Sequence, residues 1–241
     1  MIEGVTFDWW NTVARTTEDQ DRWLRERRIE RLMKATKGLP SAEVLLSAYD
    51  RQTSNLQESW NRNVDPRPED QVQMFLEFAG LDGADAGLAE IVREAFGGAL
   101  LEIPPMLFPH VSETLGALGD DGLAVGMVSN TGRTWGRYLR QVQDALGIGE
   151  FFDVRVFSDE VGVRKPDRAI FLTALNDLGL PPDRVVHVGD DVDADVAGAK
   201  SAGMRAIWFN TGFWRGAKTE KADAEVRDHA ELPDLLRRWR R

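Results

Sequence analysis

Three short apolar runs in this 241-residue chain each stop on residues able to do chemistry. Residues 2–7 end at Asp8, residues 123–128 at Ser129, and residues 185–188 at Gly189-Asp190-Asp191. Around the last two, the pattern alternates. Residues 123–128, 154–157, 185–188 and 205–209 read as strands, the last of them the final clear one. Between them lie helical stretches: one ending near Gly147, one at 167–178 that stops at Gly179 before Pro181-Pro182, and one at 192–202. Strands alternating with helices predict a parallel sheet covered on both faces. In such sheets ligands bind beyond the carboxyl ends of the strands, so a carboxylate, a hydroxyl and a carboxylate pair placed there outline an active site.

The first strand is separated from the others by a stretch of different rhythm. From about residue 16 to 101 there is helical periodicity, dense charge and no convincing strand. Thr17 with Gln20 predicts a capped helix start, with Trp23, Ile29 and Leu32 on its apolar side. Ser41 opens another helix after Pro40, residues 61–68 read as a loop, and residues 69–80 as a further helix. Pro104-Pro105 and Pro109 then mark a linker. The expected fold class is therefore α/β, a Rossmann-like parallel-sheet core (1–14 and 104–241) with an inserted helical cap domain (15–103). The basic tail from Leu235 to Arg241 reads as a terminal helix with cations at its favoured end.

Composition narrows the chemistry. The chain has no cysteine, which excludes disulfides, thiolate metal sites and cysteine nucleophiles, and makes a cytoplasmic address the expectation. No run approaches the roughly 20 apolar residues of a membrane span. The opening residues lack the basic-then-apolar pattern of a secretory signal. With a net charge of −10, nucleic acid is not an expected partner. An anionic substrate would need a local positive patch or a bound cation. The expected assembly is a monomer or homodimer.

Four segments, in order, resemble the motifs of the haloacid dehalogenase-like superfamily. Asp8-Trp9-Trp10-Asn11-Thr12 resembles its first, an Asp-x-Asp-x-Thr. Val128-Ser129-Asn130-Thr131 resembles the second, Gly162-Val-Arg-Lys165-Pro166-Asp167 the third, and Gly189-Asp190-Asp191 through Asp195 the fourth. The helical insertion resembles a C1-type cap. The resemblance implies a hydrolase of small phosphorylated molecules, of the phosphatase branch, that works through an aspartyl-phosphate. It implies Asp8 as nucleophile, with Lys165 beside it. Thr12, Ser129 and Asn130 would hold the phosphoryl group. Mg²⁺ would be bound by Asp8, Asp190 and the backbone carbonyl of Trp10, with Asp191 and Asp195 in the outer shell.

One position departs from the pattern. The family's phosphatases carry a second aspartate where this chain has Trp10, and that aspartate protonates the leaving oxygen. Tryptophan cannot. Two alternatives follow: a metal-independent 2-haloacid dehalogenase-type hydrolase, whose relatives carry an aromatic residue there, or a catalytically degenerate binding protein. Elsewhere the plainer readings hold. His187 reads as a packed core residue, Asp193 as a solvated helix-start charge, and His110 as a linker residue without a role. In the insertion, Arg22, Trp23, Arg25, Trp60, Arg62 and Arg67 are candidate substrate contacts, though such residues also pack or face solvent.

Overall fold

The structure, a computed structural model, describes residues 1–38, 40–83 and 86–240, so Arg241 of the tail lies outside it. After β1 (Gly4–Phe7) the chain makes a turn and a two-residue strand, β2 (Ala14–Arg15). Four helices follow: α1 (Glu18–Ala35), α2 (Ala42–Trp60), α3 (Pro68–Phe78) and α4 (Ala86–Gly97). Their starts are set locally. Thr17 accepts from Gln20 N while the Gln20 side chain accepts from Thr17 N, a capping box that satisfies two otherwise orphaned donors. Ser41 caps α2, and Pro68 opens α3 where a missing N–H costs nothing.

The chain returns through β3 (Met106–Leu107), which pairs antiparallel with β2. This strand lies inside the expected linker at 104–109, since two residues are too few to show a strand period. Then come α5 (Val111–Asp120), β4 (Ala124–Ser129), α6 (Gly136–Ala145), β5 (Val154–Phe157), α7 (Ser158–Val161), α8 (Arg168–Leu178) and β6 (Val185–Gly189). Residues Val192–Ala197 form a π-helical turn that runs into α9 (Gly198–Ser201), where a plain helix was expected. The chain ends with β7 (Arg205–Phe209), β8 (Ala224–Val226) and α10 (Leu232–Trp239). β8 corrects the reading that β7 is the last strand. Three residues, Ala-Glu-Val, carry too little alternation to be seen.

The six strands are all parallel, in the order β5-β4-β1-β6-β7-β8. Successive side chains alternate between faces. In β7, Ile207 and Phe209 join the core beneath α5, α6 and α10, while Ala206 and Trp208 join the one beneath α8 and α9. β1 lies between β4 and β6, where the order reverses, and such switch points open a crevice at the strand ends. The insertion has its own core, completed by Tyr138 of α6 and by Trp135, the residue just before that helix. Gly97 makes that docking possible: a Cβ there would lie 2.0 Å from the Tyr138 ring. Among the described residues, no helix is long and apolar enough to cross a membrane.

Candidate active site

Asp8 leaves the carboxyl end of β1, its N–H donating to the Val188 carbonyl at 2.9 Å. The next residues fold into a turn in which Val13 and Ala14 both donate to the Trp9 carbonyl, and Asn11 donates to that of Ala14. Asn11 adopts φ 57°, a left-handed conformation that asparagine tolerates. Trp9 is thereby buried and Trp10 is left half-buried above the strand ends. The turn's own hydrogen bonds use the carbonyls of Trp9 and Ala14 and leave that of Trp10 out.

Lys165 is buried, and its ammonium has three acceptors for three protons: Asp8 Oδ1 at 2.5 Å, Asp195 Oδ1 at 2.7 Å and the Val128 carbonyl at 2.9 Å. Its backbone is held too. The Asn130 side chain donates to the Lys165 carbonyl and accepts from the Lys165 N–H, at 3.1 and 2.8 Å. Asp195 reaches the lysine through the π-helical turn, in which Asp195 N and Val196 N both donate to the Asp191 carbonyl. The approach also needs Gly189, since a Cβ there would lie 2.2 Å from Asp195 Cγ. His187 Nε2 meets Asp195 Oδ1 at 3.1 Å and its Nδ1 meets Thr6 Oγ1 at 2.9 Å. Asp191 N donates to Asp195 Oδ2 at 3.0 Å, so both Asp195 oxygens are engaged.

Asp190 closes the group. Thr12 Oγ1 lies 3.4 Å from its Oδ1, and the Trp214 indole N–H donates to its Oδ2 at 2.8 Å. A second indole, Trp208, donates to its backbone carbonyl. Carboxylate oxygens of Asp8, Asp190 and Asp195 lie within 4.8 Å of one another.

Charge and burial set the protonation. Burial raises the Asp8 carboxyl to about 7, against the opposing pull of Lys165. Burial, then the charges of Asp8 and Asp195, raise Asp190 to about 8. For Asp195, burial works upward but Lys165 and His187 outweigh it and hold the carboxyl below the usual range. Burial likewise works against the charged form of Lys165, yet Asp195 and Asp8 prevail and raise its pKa. Burial lowers that of His187.

A cavity of about 200 Å³ has Asp8, Trp10, Asn130, Lys165, Asp190, Asp191 and Asp195 on its wall. Thr12 and Ser129 are buried beside it and are not on the wall. The Ser129 hydroxyl meets the Asn130 carbonyl at 3.3 Å. Asp191 spends Oδ1 on the N–H groups of Asp193 and Ala194 as the cap of the π-helical turn. His110, at φ 61°, begins α5 and meets Asp228 at 2.7 Å. None of the six candidates in the insertion lines the cavity. Arg22 and Arg25 pair with Asp19 and Asp50 instead.

Sequence reasoning missed three contributors. Trp214 is one, in a loop with no periodicity. The others are Arg164 on the cavity wall and its partner Asp65 from the insertion. Asp65 is fully enclosed and accepts from Arg164 at 2.8 Å, Thr131 at 3.1 Å, Ser158, and the Trp60 indole at 3.0 Å. Val64 forms an antiparallel bridge with Val163, Arg164 N donates to Asn63 O, and Asp65 N donates to Gly162 O. The guanidinium of Arg164 stacks 4.5 Å over Trp60. The only sequence signal was Arg164 lying next to Lys165.

A family model described as haloacid dehalogenase-like hydrolase matches residues 2–203. A glyceraldehyde 3-phosphate phosphatase of Methanothermobacter thermautotrophicus is 41% identical over 130 residues, 53% of this chain and 51% of that protein. The chain spans about half the length of the curated relatives it matches. Among solved structures, a 2-haloacid dehalogenase from Pseudomonas syringae aligns over 99% of this chain and 100% of its own, at 26% identity and TM-score 0.73. A HAD phosphatase from Thermococcus onnurineus aligns over 98% of both chains, at 27% identity and TM-score 0.61.

Proposed function

The chain belongs to the haloacid dehalogenase-like hydrolase family, and on that premise we propose that it hydrolyses a small phosphorylated molecule, with Asp8 as nucleophile and Mg²⁺ as cofactor. The observation that carries this reading is an imbalance of charge. Three buried carboxylates, Asp8, Asp190 and Asp195, meet one ammonium, Lys165, while Arg164 at the cavity wall is engaged by Asp65. Two of the three acids hold protons far above the usual carboxylate range. A hard divalent cation suits such an oxygen-only donor set. Asp8, Asp190 and the Trp10 carbonyl would hold it, with Asp191 and Asp195 outside them. When bound it supplies positive charge that offsets the repulsion between a carboxylate nucleophile and an anionic substrate.

The chain's own residues do the rest. Lys165 fixes Asp8 Oδ1 and favours the charged carboxylate, leaving Oδ2 to attack phosphorus. A bond forms from Asp8 to phosphorus as the bond to the leaving oxygen breaks. Water then cleaves the acyl phosphate, releasing phosphate and the free carboxylate. The backbone at Asn130, on the cavity wall, would hold the phosphoryl group; Thr12 and Ser129, buried behind that wall, would have to turn their hydroxyls toward it to take part. Trp10 has no proton to give, so the leaving oxygen must depart as an anion or be protonated by water.

A second reading has specific support. The Pseudomonas dehalogenase aligns over the whole chain, Trp10 is aromatic, and Asp190 has a protein donor at each oxygen, Thr12 and Trp214. Under that reading Asp8 attacks carbon, halide leaves without a proton, and water hydrolyses the resulting ester. A panel of phosphorylated metabolites and 2-haloacids, each with and without Mg²⁺, separates the two. Phosphate release that requires Mg²⁺ and disappears in Asp8→Asn is the expected result. Halide release indifferent to a chelator would establish the dehalogenase. Hydrolysis undiminished in Asp8→Asn would overturn both.

A further inference from the structure

Trp10 is shared by two cavities. The second, of about 210 Å³, lies between α1, the loop after β4 and the end of the insertion. Arg28 from α1 and Arg133 from that loop are on its wall, with Leu24 and Leu100 as its apolar part. Every hydrogen-bond acceptor of these two guanidiniums is neutral. Arg28 donates to the Phe96 carbonyl, the Tyr49 hydroxyl and Thr134 Oγ1. Arg133 donates to Gln52 Oε1, the Tyr49 carbonyl and Thr53 Oγ1, and stacks 3.7 Å over the Tyr49 ring.

That pattern is unusual in this molecule. Arg31, Arg93, Arg140, Arg155 and Arg164, each half-buried or more, all pair with carboxylates. Arg133 is the one arginine among the described residues that is buried outright, and it has no such pair. Burial, helped by the like charge of Arg28, lowers its pKa to about 10 against the opposing pull of Tyr49 and of the more distant Asp50. Buried charges are ordinarily matched. Holding the insertion onto the core would explain the hydrogen bonds of Arg133 to α2 and of Arg28 to Thr134, but setting two like charges side by side works against that docking. Among the described residues its hydrogen bonds use Nε and Nη2 and leave Nη1 out, and Arg133 is on the cavity wall.

We propose that this cavity binds a carboxylate carried on the leaving-group side of the substrate, with Arg28 and Arg133 as its ligands; the identity of what sits at Asp8 rests on the phosphatase reading above. Asp21, exposed on the first turn of α1, is the one acid on the wall. Two guanidiniums meet one carboxylate on the wall, and Asp50, the other acid near Arg133, is paired with Arg25, so a single positive charge is left, which suits a monoanion better than a second phosphate. Planar carboxylates also match the fork of a guanidinium.

The test uses non-hydrolysable phosphonates titrated calorimetrically into the full chain with Mg²⁺ present. Ethylphosphonate is compared with phosphonoacetate and 3-phosphonopropanoate, which place a carboxylate one or two carbons from the phosphonate. One carboxylated probe is expected to bind about tenfold tighter or more, the size of a charge-assisted hydrogen bond or two. Arg28→Met should bring that ratio near one, and Arg28→Lys should restore part of it. Thermal melts check that each variant is folded, and Arg133→Lys makes the same comparison from the core side. A wild-type ratio near one, or a ratio unmoved in folded Arg28→Met, overturns the proposal and leaves the phosphoryl site standing. If no phosphonate binds, the phosphoryl reading fails instead, and propanoate alone decides: Arg28-dependent binding upholds the carboxylate site, and no binding overturns it.

Discussion

Trp10 matters for what its side chain cannot do. General acid help is worth about 10²–10⁴-fold in rate, or ~3–5 kcal/mol of barrier. Without it, aryl and acyl phosphates, whose oxygens leave as anions, should be cleaved far faster than alkyl phosphates of similar size. Trp10→Asp should narrow that gap, chiefly through kcat on the alkyl esters. Because the indole packs edge-on to Trp9 at 6.0 Å, the substitution also damages the turn, so the ratio between substrate classes is the quantity to measure. A wild-type enzyme that treats both classes alike would mean another group supplies the proton. At this scale the sequence was legible wherever a residue belongs to a short motif, as Asp8, Lys165 and Asp190 do. It was not legible for Trp214, Asp65 or Arg133, whose surroundings come from distant segments. Asn130 lies between. Its motif marked it as a phosphate holder, while its side chain is spent clasping the Lys165 backbone.

Elements were readable to the extent that their causes are local. The capping box at Thr17, Ser41 ahead of α2 and Gly179 after α8 are all signals within a few residues. The π-helical turn is different. It exists because Asp195 must reach Lys165 and His187, and nothing within Val192–Ala197 announces that. The loop at residues 61–66 is likewise defined by its destination, the segment that carries Lys165. Asp65→Ala would leave the largely enclosed Arg164 guanidinium without its carboxylate and empty the acceptor of Thr131 and Ser158. Breaking a buried pair in this way costs about 3–5 kcal/mol. Chemical denaturation should show a loss of that order, with kcat falling as Lys165 loses its platform. A loss under about 1 kcal/mol, the worth of an exposed pair, would show that the contact is solvated.

For the whole molecule, the buried acids make stability depend on pH, and on the proposed reading on metal as well. Asp8 and Asp190 hold protons in the folded state up to about 7 and about 8, against 3.8 for an ordinary aspartate. The folded chain therefore binds more protons than the unfolded chain between those limits, and stability falls as pH rises through them. Asp195 acts oppositely: its lowered pKa adds stability that is lost only as pH falls below the ordinary carboxylate range. Thermal melts of the metal-free protein should accordingly decline from about pH 5 to about pH 9. If the proposed Mg²⁺ is held by the deprotonated pair, the stabilisation by added Mg²⁺ should grow over the same interval. A Mg²⁺ effect independent of pH would separate the metal from these acids. The order of the strands has another consequence, for the sequence of events during synthesis. β1 is the first strand to be made, yet it occupies the middle of the sheet. Gly4 pairs with Ala124 on one side and with Val185 on the other, so the nascent strand waits, unpaired and apolar, while the entire helical insertion is translated. Contacts so distant along the chain make folding slow and expose the chain to aggregation. The helices of the insertion form from local contacts and can be complete before the sheet begins, whereas Asp8 has no site around it until residue 195 has left the ribosome.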